Sequence, residues 1–429
     1  MSRRVRLALA GVLLAVSAVA TGGCGSPGDD RVLVVLGPWT DGEEKPFRKA
    51  LDSIEQQTGK KYVYTGTRSL RETLVAQLQA GAPPDVAVLS SPGELAEYAR
   101  DGHAHPLPES VAGAAVPPWA PQVTVSGTGD GARTRAYWVP VRVDLKSVVW
   151  SRQAGVPQDG EPAWCLAMGS GATSGWPGTD WIEDLMLQRG GTSGYESWAT
   201  GRTAWSETKE VWQEWGRLLT ANGRAPGPRS LTDSFEALGG GAYGLLNRGD
   251  CTHEHQGSFI RRHYGDDVRP VPTARFLDGA GRAAEENAFE VSGDLAAVFR
   301  PSAAAWDLLG RLTSQDARRS WAEHAAPAER PFFPGGTVDA GQPSAATRDV
   351  QSLFDTAGHI CLDASDAMPP TLRDAFYRAV LEFVGAPRDA ALLGRLLERL
   401  DAERRLQLDE GAFVLDDLCD RPVTGTSAG

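Results

Sequence analysis

The sequence predicts an α/β protein built on a parallel sheet with helices on both faces. Three observations carry that reading. Short apolar runs recur near the N-terminal end, at residues 31–36, 62–64 and 85–89. Each empties into a stretch with helix-start chemistry and amphipathic spacing. The resulting order, β-α-β-α-β-α, is the alternation that builds parallel sheets flanked by helices. With 429 residues the chain is long enough for more than one such unit.

The elements follow in order. The first run ends in Gly37-Pro38-Trp39, and Thr40 with Glu43 reads as a capping box for a helix that stops at Gly59. The second strand ends in Gly66-Thr67-Arg68. Ser69 and Glu72 then cap a helix whose apolar face is Leu74, Val75 and Leu78. Residues 85–89 lead into Ser91, Pro92 and Glu94, a third helix start. In such sheets ligands bind beyond the carboxyl ends of the strands. Trp39, Thr40, Thr67, Arg68, Ser90 and Ser91 all fall there.

Beyond a Pro- and Gly-rich region (107–132), residues 135–143 alternate like a strand, and Pro140 is expected as a hinge into a second lobe. Residues 144–150 read as a further strand. Residues 206–221 form an amphipathic helix, with Trp212 and Trp215 in the core. Residues 242–246 read as a strand and 273–288 as a second crossing. Residues 289–300 read as a strand, a turn at Ser292-Gly293-Asp294, and more apolar chain. Helices are expected at 302–312, 315–323, 372–383 and 390–405.

The most informative stretch is SGWPGTDWIEDLML, residues 174–187. Pro177 and Gly178 stop any preceding element, Thr179 can cap a helix, and Asp180 then sits in its first turn. Trp181, Ile182, Leu185 and Met186 give that helix an apolar face, while Glu183 and Asp184 read as its solvated or N-terminal face. The loop in front presents Trp176 and Asp180. A flat ring suits the C–H face of a sugar, and a carboxylate suits two hydroxyls. Trp181 serves equally well as core.

Residues 1–23 read as a secretory signal: Arg3, Arg4 and Arg6, then the apolar run 7–20. Thr21-Gly22-Gly23-Cys24 resembles a bacterial lipobox, with Thr21 where a leucine is usual. Lipidation is expected at Cys24, followed by a tether over 24–30. Without the three arginines the formal net charge of −12 becomes −15. That surface repels nucleic acid, and no basic arm or helix-turn-helix offsets it. Cys165, Cys251, Cys361 and Cys419 remain in an oxidising compartment, so two disulfides are expected. Three pairings are open, and Cys165–Cys251 with Cys361–Cys419 is preferred. The tail, 421–429, is expected to be disordered.

With these residues in view, the chain resembles the extracellular solute-binding lipoproteins (family 1) of carbohydrate ABC transporters, in particular the α-glucoside type. The resemblance rests on VLGPWTDGEEKPF (35–47), PPDVAVL (83–89), GATSGWPGTDWIEDLML (171–187), GSFI (257–260), SGDLAAVF (292–299) and DASDAMP (363–369). It implies a two-lobed periplasmic-binding-protein-like fold with the cleft between lobes, one lobe from 31–138 and 280–325, the other from 139–279 and 326–420. Carried over by position, the family's cleft implies Trp39, Thr67, Arg68, Trp176, Asp180, Trp181, Gly293 and Asp294 as the sugar-binding residues. It also implies a monomer anchored to the outer face of the cell membrane by lipid alone. Its partners would be a di- or oligosaccharide and ABC permease subunits, with no cofactor and no catalysis. One departure stands out: Thr252-His253-Glu254-His255-Gln256 occupies a place where similar proteins carry an aromatic and a His-Arg-Gln run.

Other classes are weaker. A glycoside hydrolase needs two carboxylates flanking the scissile bond, and Asp180, Glu183, Asp184 and Asp294 supply candidates. Metal capture could use His253, His255 and His263, or His103 and His105, although such histidines are ordinarily surface residues, and no metal is expected. A sugar-sensing lipoprotein would share the cleft but not the permease. No Gly-x-Ser-x-Gly elbow, His-Glu-x-x-His or P-loop signature is present.

Overall fold

The computed structural model describes residues 31–420 except 128–130, 153–161, 222, 224–225, 236–242, 278–286 and 337. The expected signal, Cys24, the tether and the C-terminal tail lie outside the described residues. Twelve strands are described: β1 (Leu33–Gly37), β2 (Tyr62–Gly66), β3 (Val86–Leu89), β4 (Val123–Gly127), β5 (Gly131–Arg135), β6 (Trp138–Leu145), β7 (Val148–Ser151), β8 (His253–His255), β9 (Arg269–Pro272), β10 (Ala288–Val298), β11 (His359–Leu362) and β12 (Cys419–Asp420).

The first three strands form the predicted parallel unit, with β1 between β2 and β3. The helices Lys45–Thr58, Leu70–Gln79 and Pro92–Arg100 alternate with them. Ser91 caps the third through its side chain, which accepts from the Glu94 N–H. Gly59 ends the first in the left-handed conformation (φ 68°), as a C-terminal glycine should. The expected Thr40–Glu43 capping box does not form. Asp41 (φ 57°) and Gly42 (φ 103°) make a left-handed turn there, and the helix begins at Lys45 without a side-chain cap. The Glu43 carboxylate instead meets Arg142 at 3.3 Å and Arg262 at 2.7 Å.

Two long strands join the lobes. The C-terminal half of β10 pairs with β3 and with the start of β6; its N-terminal half pairs with β11 and the end of β6. The register of the β6–β10 pair shifts between Asp294 and Leu295. The turn expected at residues 292–294 is therefore an irregularity inside one continuous strand, because β6 pairs with β10 straight across these residues and holds the backbone extended. Strands β8, β7 and β9 make a small antiparallel sheet in the second lobe, and β4 and β5 a hairpin.

Helices pack each sheet. Ala303–Leu312 and Gln315–His324 lie against Lys45–Thr58 in the first lobe. In the second, Trp176–Ala199, Lys209–Leu219, Pro370–Gly385 and Ala390–Asp409 pack together. Trp212 and Trp215 are fully buried against Phe383, as the amphipathic pattern predicts. The strand expected at 242–246 is instead a short 3-10 turn, Leu245–Arg248. Gly244 enters it at φ 84°, and a Cβ there would stand 2.4 Å from the Tyr264 ring. The helix Ala345–Thr356 and strand β11 were not foreseen.

Both preferred disulfides are present. Cys165–Cys251 closes a separation of 86 residues and Cys361–Cys419 one of 58. In the chain-entropy model loops of that length stabilise by about 4 kcal/mol each. Among the described residues no helix is long and apolar enough to cross a membrane.

Candidate functional site

Two cavities meet between the lobes. The outer one, about 710 Å³, is lined by Thr40, Glu43 and Arg68 from the first lobe and Tyr243, Arg262 and His263 from the second, with Trp321. The inner one, about 250 Å³, runs between Ser90, Gly293 and Asp294 on one side and Trp176, Asp180, Asp366 and Tyr377 on the other. Arg142, Asp144 and Phe259 line both, so the two are compartments of one cleft.

The inner wall is set by two glycines. Gly175 stands at φ 109° in front of the Trp176–Ala199 helix, and a Cβ on it would lie 2.5 Å from the Tyr377 carbonyl oxygen. A Cβ on Gly178 would lie 2.4 Å from Val380 and 2.9 Å from Trp215. Only glycine lets this helix end press against Pro370–Gly385. The helix therefore starts at Trp176, three residues before the expected cap. Thr179 donates its hydroxyl to the Trp176 carbonyl oxygen and caps nothing. Asp180 lies beyond the first turn, and what fixes it is Lys146, whose Nζ is 2.9 Å from Asp180 and 2.7 Å from Asp363. The same ammonium sits 5.0 Å from the Trp176 ring centroid, a cation–π distance.

The polar face of this helix is buried. Glu183 and Asp184, expected in solvent, are fully buried, as is Glu290 on β10. Burial first, then Asp363 and Asp180, pushes Glu183 well above the usual carboxylate range; burial and Glu183 do the same to Glu290. Burial also pushes Asp180 up to about 6 against the pull of Lys146. Asp363, which keeps Lys146 and the Asp366 N–H as partners, is held low despite its burial. Asp184 contacts His255 Nε2 at 2.9 Å, and that imidazole stacks on Trp181 at 4.3 Å. His253 is bound to Thr252 Oγ1. The metal reading is not assembled from these histidines. Among the described residues the carboxylates close enough to share an ion are Asp180, Glu290 and Asp363, and Lys146 bonds two of them.

Between the two compartments Arg142 binds Asp294 at 2.6 Å and Glu43 at 3.3 Å. Burial alone would raise Glu43, but Arg142, Arg262 and Arg68 together hold it below its ordinary value. For Asp294 burial outweighs Arg142 and the carboxyl is raised. His263 is pushed down to about 4 by burial and by Arg262.

The expected sugar-binding residues thus divide. Arg68, Trp176, Asp180, Gly293 and Asp294 line the cleft. Trp39 does not: it is buried among Phe47, Tyr64 and Trp321. Its backbone oxygen lies where a Cβ on Gly66 would be, at 2.1 Å, so the chain turns inward. Trp181 is likewise core, edge-on to Trp164 at 4.7 Å. Thr67 lines neither cavity; its hydroxyl accepts from the Ser69 N–H. The cleft also holds residues that were not singled out: Arg142, Asp144, Lys146, Phe259, Asp366, Tyr377 and Trp321. Phe259 and Asp366 belong to the quoted stretches GSFI and DASDAMP, which were the available signal.

Residues 39–244 match the family described as "Bacterial extracellular solute-binding protein". The chain is 26% identical over 397 residues to the alpha-glucosides-binding periplasmic protein AglE of Rhizobium meliloti, covering 84% of this chain and 85% of the relative. It is 25% identical over 440 residues to the osmoprotective compounds-binding protein GgtB of Synechocystis sp., covering 89% and 97%. Among solved structures it superposes on the bacterial solute receptor AcbH with a TM-score of 0.68 at 13% identity, covering 87% of this chain and 98% of that one. The two-lobed α/β fold is common to both. By name these relatives are binding proteins or a solute receptor.

Proposed function

We propose that the protein is an extracytoplasmic sugar-binding lipoprotein that captures a di- or oligosaccharide of the α-glucoside type and delivers it to an ABC transporter permease. The observation that carries this reading is the continuous two-compartment cleft. It pairs aromatic side chains (Trp176, Phe259, Tyr377, Tyr243) with charged hydrogen-bonding groups on both lobes. An aromatic face removes the C–H surface of a sugar from water, and each charged acceptor fixes a hydroxyl for about 1.5–3 kcal/mol net. The relative named for α-glucosides supports the ligand class. The lobes are taken as 31–138 with 280–325 and 139–279 with 326–420, closing about the β6–β10 pair. Cys24 would carry the lipid that holds this monomer on the outer face of the membrane.

The test is calorimetric titration of residues 25–429 with maltose, maltotriose, trehalose, sucrose, cellobiose and xylobiose. Micromolar or tighter binding of an α-linked sugar is expected. Heat only with the β-linked pair, or with none, contradicts the α-glucoside reading.

A further inference from the structure

The two compartments differ in charge. Among the described residues the outer one balances Arg68, Arg142, Arg261 and Arg262 against Asp41, Glu43, Asp144 and Glu329. The inner one sets five carboxylates, those of Asp144, Asp180, Asp294, Asp363 and Asp366, against Arg142 and Lys146. Directly behind it lie the buried Glu183 and Glu290, for which no ion pair forms among the described residues. Lys146 is spent on Asp180 and Asp363, and Arg142 on Asp294.

That excess leaves acceptors open. Asp180 is 2% exposed, and its Oδ1 has no hydrogen-bond partner among the described residues. The Asp366 carboxylate lines the cavity, and its main chain is what engages its neighbours: the N–H donates to Asp363 and the carbonyl accepts from Ser91. Trp176, Phe259 and Tyr377 wall the same space. Buried carboxylates in such surroundings take up either protons or a cation. Burial and Asp363 hold Asp366 well above the carboxylate range, opposed by Lys146 and Arg373.

We propose that the inner compartment is a subsite for a positively charged sugar, an aminodeoxy ring whose protonated amine is received by Asp366 and Asp180. This rests on the saccharide reading above and narrows it. A neutral hydroxyl donates to these carboxylates but brings no charge. An ammonium in the same place makes charge-assisted hydrogen bonds, and the balanced outer compartment accepts the neutral remainder of the molecule.

The experiment compares isosteric pairs by calorimetry on residues 25–429: maltose and trehalose against their 2-amino-2-deoxy counterparts. The amine should bind about tenfold tighter than its parent, the difference between charged and neutral hydrogen bonds. The preference should shrink as salt rises, and it should be lost in Asp366→Asn but kept in Asp366→Glu. Equal or weaker binding of the amines overturns the proposal. So does a preference that neither salt nor Asp366→Asn reduces. Neutral disaccharides binding with no gain for amines would leave the saccharide reading standing. Binding by no saccharide of either kind would remove that reading, and this one with it.

Discussion

Lys146 shows what a single side chain contributes here. It joins Asp180 to Asp363 and places a cation beneath Trp176. In the sequence it is one lysine in a strand-like run, DLKSVVW, with nothing to mark it as buried. Asp180 was singled out because it follows Trp176 and the helix-start run Pro177, Gly178 and Thr179. Glu183 and Asp184 were misread because helical spacing assigns one apolar face and leaves the other to solvent, whereas this helix is enclosed on all sides. Glu254 extends the same theme. It is fully enclosed, its carboxylate accepts from Tyr264, and burial pushes it up to about 7. A raised carboxyl keeps its proton in the folded protein, so its contribution is present below the unfolded value. It is lost as pH rises toward the folded one. The loss is on the order of 3 kcal/mol. Glu254→Gln should therefore reduce the fall in melting temperature between pH 5 and pH 8. An unchanged pH dependence in the variant would contradict this.

At the scale of elements, the alternation of the first three strands and helices was readable from apolar runs and capping residues. Ser91 and Gly59 behave as their chemistry dictates. The failures have local causes. Thr40 loses its cap to a left-handed turn, and residues 292–294 stay extended because β6 pairs across them. β11 and β12 are short and held together by Cys361–Cys419, a contact that no local pattern encodes. The helix that begins at Trp176 depends on Gly178, whose missing side chain admits Val380 and Trp215. Gly178→Val should cost about 3 kcal/mol by overpacking, read as a lower midpoint in urea. A midpoint equal to that of the unmodified protein would show that the two helices do not meet as described.

For the whole molecule, the decisive feature is that β6 and β10 belong to both lobes. The cleft opens on this pair, and Gly293, Asp294, Arg142 and Asp144 come from it. Sequence pattern gave the lobes' α/β character and an expected crossing at Pro140, which lies within β6 opposite Leu295. It did not give the cleft's full wall, because residues 142–146, 243, 259–263, 321 and 363–377 converge only through tertiary packing. The account's central claim is that a saccharide binds in this cleft against Trp176. The most direct test is titration of the tightest-binding disaccharide into the unmodified protein and into Trp176→Ala. Trp176 is half-buried at the cleft wall, so the variant should stay folded. Loss of at least about 2 kcal/mol of binding, roughly thirtyfold, is the expected result for removal of an aromatic anchor. Undiminished affinity in a folded Trp176→Ala protein would place the ligand elsewhere and contradict the account.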